Sequence, residues 1–296
     1  MTKFILIGGM PRSGTNLTRR IIGSHSRIAI PPAEFRFFNQ YAKGKGVAEI
    51  LANERLERWG VELSDLCSRG HREAFIEALL RYAEHVGKEI AGEKTPRNEF
   101  YYDTIKEWLR DFELRFVHVV RNPIDTMASF KHSTIRHNKG RGGFPGLSAH
   151  SRNWVRSVSM ALARAYHDAE RYHVLKFEDL LADPISTTRE LCAFLGVDFE
   201  QEQMLHLSDF EGRRDNTSFP QERRARHEEY GAIRQLESRK QYLTDVEIRT
   251  VSAICGELAH ALGYEDDSFS SSPPEYPDSG IIGKLNRAVE RVFRPG

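Results

Sequence analysis

A chain of 296 residues, 40% hydrophobic and 29% charged, is long enough to bury a sizeable core and too apolar to be a disordered polymer. Its 43 Lys and Arg against 42 Asp and Glu leave a formal charge of +1, which argues against a broad nucleic-acid-binding face and requires any anion site to be local. The three cysteines, Cys67, Cys192 and Cys255, have neither zinc spacing nor a C-x-x-C pair, and no apolar run approaches the ~20 residues of a membrane span. The expectation is a cytoplasmic protein with reduced, buried thiols. The N-terminal run Phe4 to Ile7 is too short for a signal peptide.

Residues 3–7 read as a buried strand ending in Gly8-Gly9. A helix follows over 15–24, then a short strand at 28–30 that stops at Pro31-Pro32. Helical spacing is predicted over 34–60 and 71–86, a third strand over 88–91, and a helix over 98–110. The clearest later strand is 114–120, followed by a helix from Ile124 to about Ile135. A longer helix covers 150–171, a strand 174–177, and a helix 184–195. Strands alternating with helices predict an α/β, P-loop-type domain: a parallel sheet of about five strands flanked by helices. Ligands in such sheets bind beyond the carboxyl ends of the strands. Three motif-like stretches fall at strand ends: after Ile7, near Gly92 and after Val120.

Gly8-Gly9-Met10-Pro11-Arg12-Ser13-Gly14-Thr15-Asn16 follows a strand and opens a helix. Glycines let the backbone turn around an oxyanion, and the amides of the helix start face it with a partial positive charge. Ser13, Thr15 and Asn16 add side-chain donors, and Arg12 adds a planar cation. Gly9 and Gly14 have Walker A separation, but Thr15 stands where a kinase needs lysine. The loop therefore suits a phosphate without a Mg–triphosphate. A small-molecule kinase and a non-catalytic nucleotide-binding protein are the alternatives.

"PRSGTNL" after a strand resembles the 5'-phosphosulfate-binding loop of the sulfotransferase superfamily. The likeness is to the branch of tyrosylprotein and many bacterial sulfotransferases, with Asn16 where Thr or Ser is commoner. A second segment, Arg121-Asn122-Pro123-Ile124-Asp125-Thr126-Met127-Ala128-Ser129, resembles that family's 3'-phosphate-binding stretch. Arg121 and Ser129 are its expected clamp, an arrangement in which Arg–phosphate pairing is worth about 1.5–3 kcal/mol. Lys176-Phe177-Glu178-Asp179-Leu180 is similar to the family's Y-E-D-L, with Phe177 in place of Tyr. Glu178 and Asp179 read as charges at a helix start. Ser238-Arg239 matches, loosely, a family S-[KR] that contacts the nucleotide.

The resemblance implies a donor, 3'-phosphoadenosine 5'-phosphosulfate, a product, adenosine 3',5'-bisphosphate, and no metal. Sulfuryl transfer needs an in-line acceptor, charge stabilisation at the leaving phosphate and a base. Glu34-Phe35-Arg36 resembles the E-x-R stretch carrying the base in tyrosylprotein sulfotransferases, so Glu34 is the candidate base. Its apolar neighbour Phe35 suggests a raised pKa. Arg12 and Lys94, the latter in a family-like K-x-P segment, are the candidate charge stabilisers. His132 is an alternative base, and His118, inside a strand, reads as a packed residue.

The expected organisation is a sulfotransferase domain over 1–264, a Ser/Pro-rich linker over 265–280 and an amphipathic helix over 281–294. Ile281, Ile282, Leu285, Ala288, Val289, Val292 and Phe293 recur at helical spacing with Lys284, Arg287, Arg291 and Arg294. Such a helix covers a protein surface or a second copy of the chain, or lies on an anionic membrane; protein packing is the commoner use. Residues 138–149 have the glycine content of a lid, and 208–230 are charge-rich. The acceptor is a hydroxyl or amine of open class.

Overall fold

The computed structural model describes residues 2–53, 56–137, 146–205 and 240–264. Five strands, β1 (Lys3–Gly9), β2 (Ile28–Ala29), β3 (Ile90–Lys94), β4 (Glu113–Val120) and β5 (Tyr172–Lys176), form one sheet in the order β2-β3-β1-β4-β5. Every neighbouring pair is parallel, and Ile5 sits between Gly92 and Arg115. From β1 the chain runs outward to β2, returns to β3, and then crosses to β4 and β5. The loop after central β1 therefore lies where strand order reverses, the usual ligand position in open parallel sheets.

Among the described residues the helices are α1 (Thr15–Ser24), α2 (Phe37–Tyr41), α3 (Val47–Leu51), α4 (His71–His85), α5 (Tyr102–Trp108), α6 (Pro123–His137), α7 (Leu147–His167), α8 (Phe177–Ala182), α9 (Pro184–Leu195), α10 (Gln201–Leu205) and α11 (Asp245–Ala261). The sheet is covered on both faces, which is why its strands read as continuous apolar runs. Phe4, Leu6 and Phe116 pack with Tyr102, Trp154 and Val251 on one side. Ile5, Ile7, Val117 and Val119 pack with Ile22, Leu180, Leu191 and Met204 on the other.

Most expected elements form close to their predicted bounds. The helix expected over 34–60 does not. That stretch holds α2, α3 and a 3-10 turn at Leu56–Trp59, interrupted by left-handed Gly44 and Gly60. The third strand is Ile90–Lys94 rather than 88–91, and helix 98–110 splits into a 3-10 turn, Asn98–Tyr101, and α5. Phe177 opens α8 instead of closing β5. The segment 208–230, Arg239, the linker and the C-terminal amphipathic stretch lie outside the described residues, as does most of 138–149.

Candidate active site

The loop between β1 and α1 is closed by Ser13, whose amide and hydroxyl both donate to the Met10 carbonyl, at 3.1 and 2.7 Å. Gly9 has φ 128°, and a Cβ there would lie 2.4 Å from the Val119 carbonyl. Gly14, at φ 105°, caps α1 and has the Phe177 ring 2.1 Å from where a Cβ would stand. Only glycine fits either place. Among the described residues no side chain caps α1, an arrangement that an anion at its first amides would complete.

Two clusters stand around this loop. In the first, Arg12 Nε donates to Ser129 Oγ of α6 at 3.2 Å, and Arg121 Nη1 donates to the Arg12 carbonyl at 3.3 Å. Arg121 is 6% exposed, lies over the Phe177 ring at 4.9 Å, and has a buried Nε with no hydrogen-bond acceptor. A buried guanidinium N–H without a partner is costly and marks a place where an oxyanion fits. Asn122 caps α6 through the Ile124 amide at 2.8 Å, while its own N–H donates to Glu178. Glu178 also accepts from the Tyr264 hydroxyl at 3.0 Å, so it does more than charge the start of α8.

In the second cluster, Lys94 at the end of β3 is 4% exposed. Its Nζ donates to Glu34 Oε1 at 2.8 Å and to Asn16 Oδ1. Glu34 Oε2 accepts from both Nε and Nη2 of Arg36, at 2.9 and 2.8 Å. The raised pKa expected for Glu34 is not found. Burial pushes its carboxyl up, but Lys94 and Arg36 outweigh it and hold the group below its ordinary value. Lys94 is itself pushed down by burial, against the pull of Glu34.

Of the residues expected from the sequence, the fold collects Arg12, Asn16, Glu34, Lys94, Arg121 and Ser129 in these two clusters beside the loop. Thr15 begins α1 and is buried. His118 is packed, as expected, between Tyr172 and Ser157. His132 lies against Tyr242 with the two rings tilted by 36° and their centres 4.4 Å apart. Arg239 lies outside the described residues.

A model of the Sulfotransferase family matches residues 5–201, about two thirds of the chain. The chain belongs to that family. Nodulation protein NoeE of Sinorhizobium fredii (strain NBRC 101917 / NGR234) is 25% identical over 323 residues, covering 97% of this chain and 70% of that protein. Solved structures share the fold. The sulfotransferase domain from the curacin biosynthetic pathway superposes with a TM-score of 0.55 at 18% identity, over 90% of this chain and 99% of that one. The sulfotransferase domain of the Synechococcus PCC 7002 olefin synthase gives 0.51 at 20% identity, over 85% and 94%. Mouse sulfotransferase SULT7A1 complexed with PAP gives 0.50 at 14% identity, over 88% and 84%.

The protein is therefore a sulfotransferase enzyme, and the kinase reading is not favoured. At the candidate site, sequence reasoning missed the buried acids behind the loop. Glu93 is fully buried and pushed up to about 7 by burial, while Thr95 and Asn98 donate to it. Glu99 is buried against the Gly9 amide at 2.7 Å. Neither has a signature in sequence, since an acid after a strand usually reads as a solvated helix start. Arg12, Arg36 and Arg97 are the only non-glycine residues with positive φ among the described residues. They follow β1, β2 and β3 respectively, so backbone strain concentrates at this edge of the sheet.

Proposed function

We propose that this sulfotransferase takes its sulfuryl group from 3'-phosphoadenosine 5'-phosphosulfate, leaves adenosine 3',5'-bisphosphate, and uses Glu34 as general base toward a hydroxyl or amine acceptor. The observation that carries this reading is the contiguity of base, cation and loop: Lys94 Nζ touches both Glu34 and Asn16. The donor would supply a sulfuryl group on a phosphate leaving group. The residues present fit it. The uncapped α1 amides, with Arg12, Ser13, Gly14, Thr15 and Asn16 around them, suit a 5'-anion. Arg121, with its unpaired Nε, and Ser129 suit a 3'-phosphate. Arg239 is assigned to the nucleotide on the sequence resemblance alone.

Glu34, held ionised by Lys94 and Arg36, takes the acceptor's proton as its oxygen or nitrogen attacks sulfur and the bond from sulfur to the phosphate oxygen breaks. Lys94 and Arg12 stabilise the negative charge left on that oxygen, a role otherwise filled by a metal ion. A cytoplasmic location fits the three free cysteines. The test has two arms. Adenosine 3',5'-bisphosphate should bind at least tenfold more tightly than 5'-AMP, about 1.4 kcal/mol, and Arg121→Ala should erase the difference. Glu34→Gln should keep that binding and lose roughly 10²–10⁴-fold in turnover of labelled donor, with activity surviving EDTA. Equal affinity for the two nucleotides, or a fully active Glu34→Gln, refutes the reading.

A further inference from the structure

The two anion clamps of the site belong to different strands, Gly9 to Asn16 after β1 and Arg121 to Ser129 after β4. One helix reaches both. On α7, Trp154 Nε1 donates to the Arg121 carbonyl at 2.9 Å. One turn later, Ser157 Oγ donates to Glu99 Oε1 at 2.8 Å, and Glu99 Oε2 accepts from the Gly9 amide at 2.7 Å. Residues three apart lie on one helix face. Trp154, Ser157 and Glu99 are each at most 1% exposed, so these bonds have no solvent competitor and leave no slack.

The chain continues inward. Ser157 has one hydroxyl proton, and it donates that proton's hydrogen bond to Glu99. His118 Nε2, 3.0 Å from Ser157 Oγ, must therefore be the donor there. His118 Nδ1 is then an acceptor, and the Tyr172 hydroxyl donates to it at 2.6 Å. Every member from Tyr172 to Gly9 is partnered, and the donations converge from both ends on the Glu99 carboxylate. The chain crosses from β5 through β4 and α7 to the end of β1, and none of its side chains belongs to the two clusters beside the loop. The Arg97 amide donates to the Gly9 carbonyl at 3.0 Å, so the segment carrying Glu99 holds both sides of Gly9.

We propose that α7 is a strut that sets the spacing of the two donor clamps, with Trp154 positioning the Arg121 backbone and Ser157, through Glu99, positioning the Gly9 turn. These are positioning residues. The proposal rests on the donor reading above, since it supposes one ligand that spans both clamps. It makes a prediction that a merely structural role does not. Loss of one arm of the strut should weaken only the phosphate held by that arm.

The test titrates adenosine 3',5'-bisphosphate, 5'-AMP and 3'-AMP into the full chain by calorimetry. Trp154→Phe removes the N–H and keeps an aromatic, though smaller, side chain in the core. It should weaken the bisphosphate and 3'-AMP roughly tenfold and leave 5'-AMP within twofold, the scale of one buried hydrogen bond. Ser157→Ala and Glu99→Gln should do the opposite, weakening the bisphosphate and 5'-AMP and sparing 3'-AMP. If Glu99→Gln does not fold, Ser157→Ala alone decides that arm. A uniform loss over the three nucleotides, or no loss, in variants of a wild type that prefers the bisphosphate overturns the strut while leaving the donor reading intact. A wild type that binds all three alike overturns the donor reading, and the strut falls with it.

Discussion

Glu34 shows how two cations can reverse the effect of burial. An acid in this place, shielded from water, would ordinarily be a poor anion at neutral pH. Lys94 reaches it from β3, and Arg36, bent into the left-handed region at φ 58°, turns back to take its other oxygen. The proposed base is thus held toward its ionised form before any ligand binds. The acid limb of kcat/KM reports the free enzyme, so it should lie below the ordinary value of 4.5. Lys94→Met removes the largest opposing charge and leaves the burial. In that variant the limb of the residual activity should move to higher pH, and a limb that stays in place would show that Lys94 does not control Glu34. Short motifs at strand ends made Glu34, Lys94 and Arg12 legible in the sequence. The sign of the Glu34 shift was not, because it depends on a contact between residues 60 apart and on a backbone conformation that Arg36 rarely adopts.

At the scale of elements, period and punctuation located β1, α1, β4, α6 and α9 well. They misled over 34–60, where apolar spacing is compatible with one long helix. There Phe35, Phe37 and Phe38 are drawn into an aromatic cluster with Phe75 and Trp108, and glycines at 44, 46 and 60 let the chain turn to follow it. The missed helix α11 carries a local signal that can be tested. Thr244 accepts from the Glu247 amide at 3.3 Å, while Glu247 accepts from the Thr244 amide at 2.7 Å. This reciprocal cap is a known helix start. Glu247 also pairs with Lys131 at 2.6 Å, tying α11 to α6, the helix that carries Ser129. Thr244→Ala should cost roughly 1 kcal/mol in urea unfolding. Glu247→Ala should cost more, since it removes the cap and the tie together. If it costs no more, the Lys131 pair contributes nothing beyond a surface ion pair.

The whole molecule keeps several ionisable groups inside, and they pull its stability in opposite directions with pH. Burial pushes His118 and His173 down to about 3 and about 4. Their stabilisation is present above 6.5, the ordinary value, and is lost as pH falls through those folded values. Glu93 behaves in reverse. Its folded value of about 7 lies above its ordinary 4.5, so its contribution is complete below 4.5 and is lost as pH rises to about 7. Thr95 and Asn98 donate to this carboxyl and Lys94 lies nearby, all drawing the value down, while Glu34 and burial drive it up. A glutamine at this place cannot ionise. The difference in Tm between Glu93→Gln and the parent should therefore grow in favour of the variant from pH 4.5 to pH 7 and stay level above it. The histidines and every other group are common to both proteins and cancel in that difference. A shift of this size corresponds to at most about 3 kcal/mol, or on the order of 5–10 °C for a chain this long. Calorimetric melting of the two proteins across that range checks it, and a difference that does not change with pH would show that Glu93 titrates as an ordinary exposed acid.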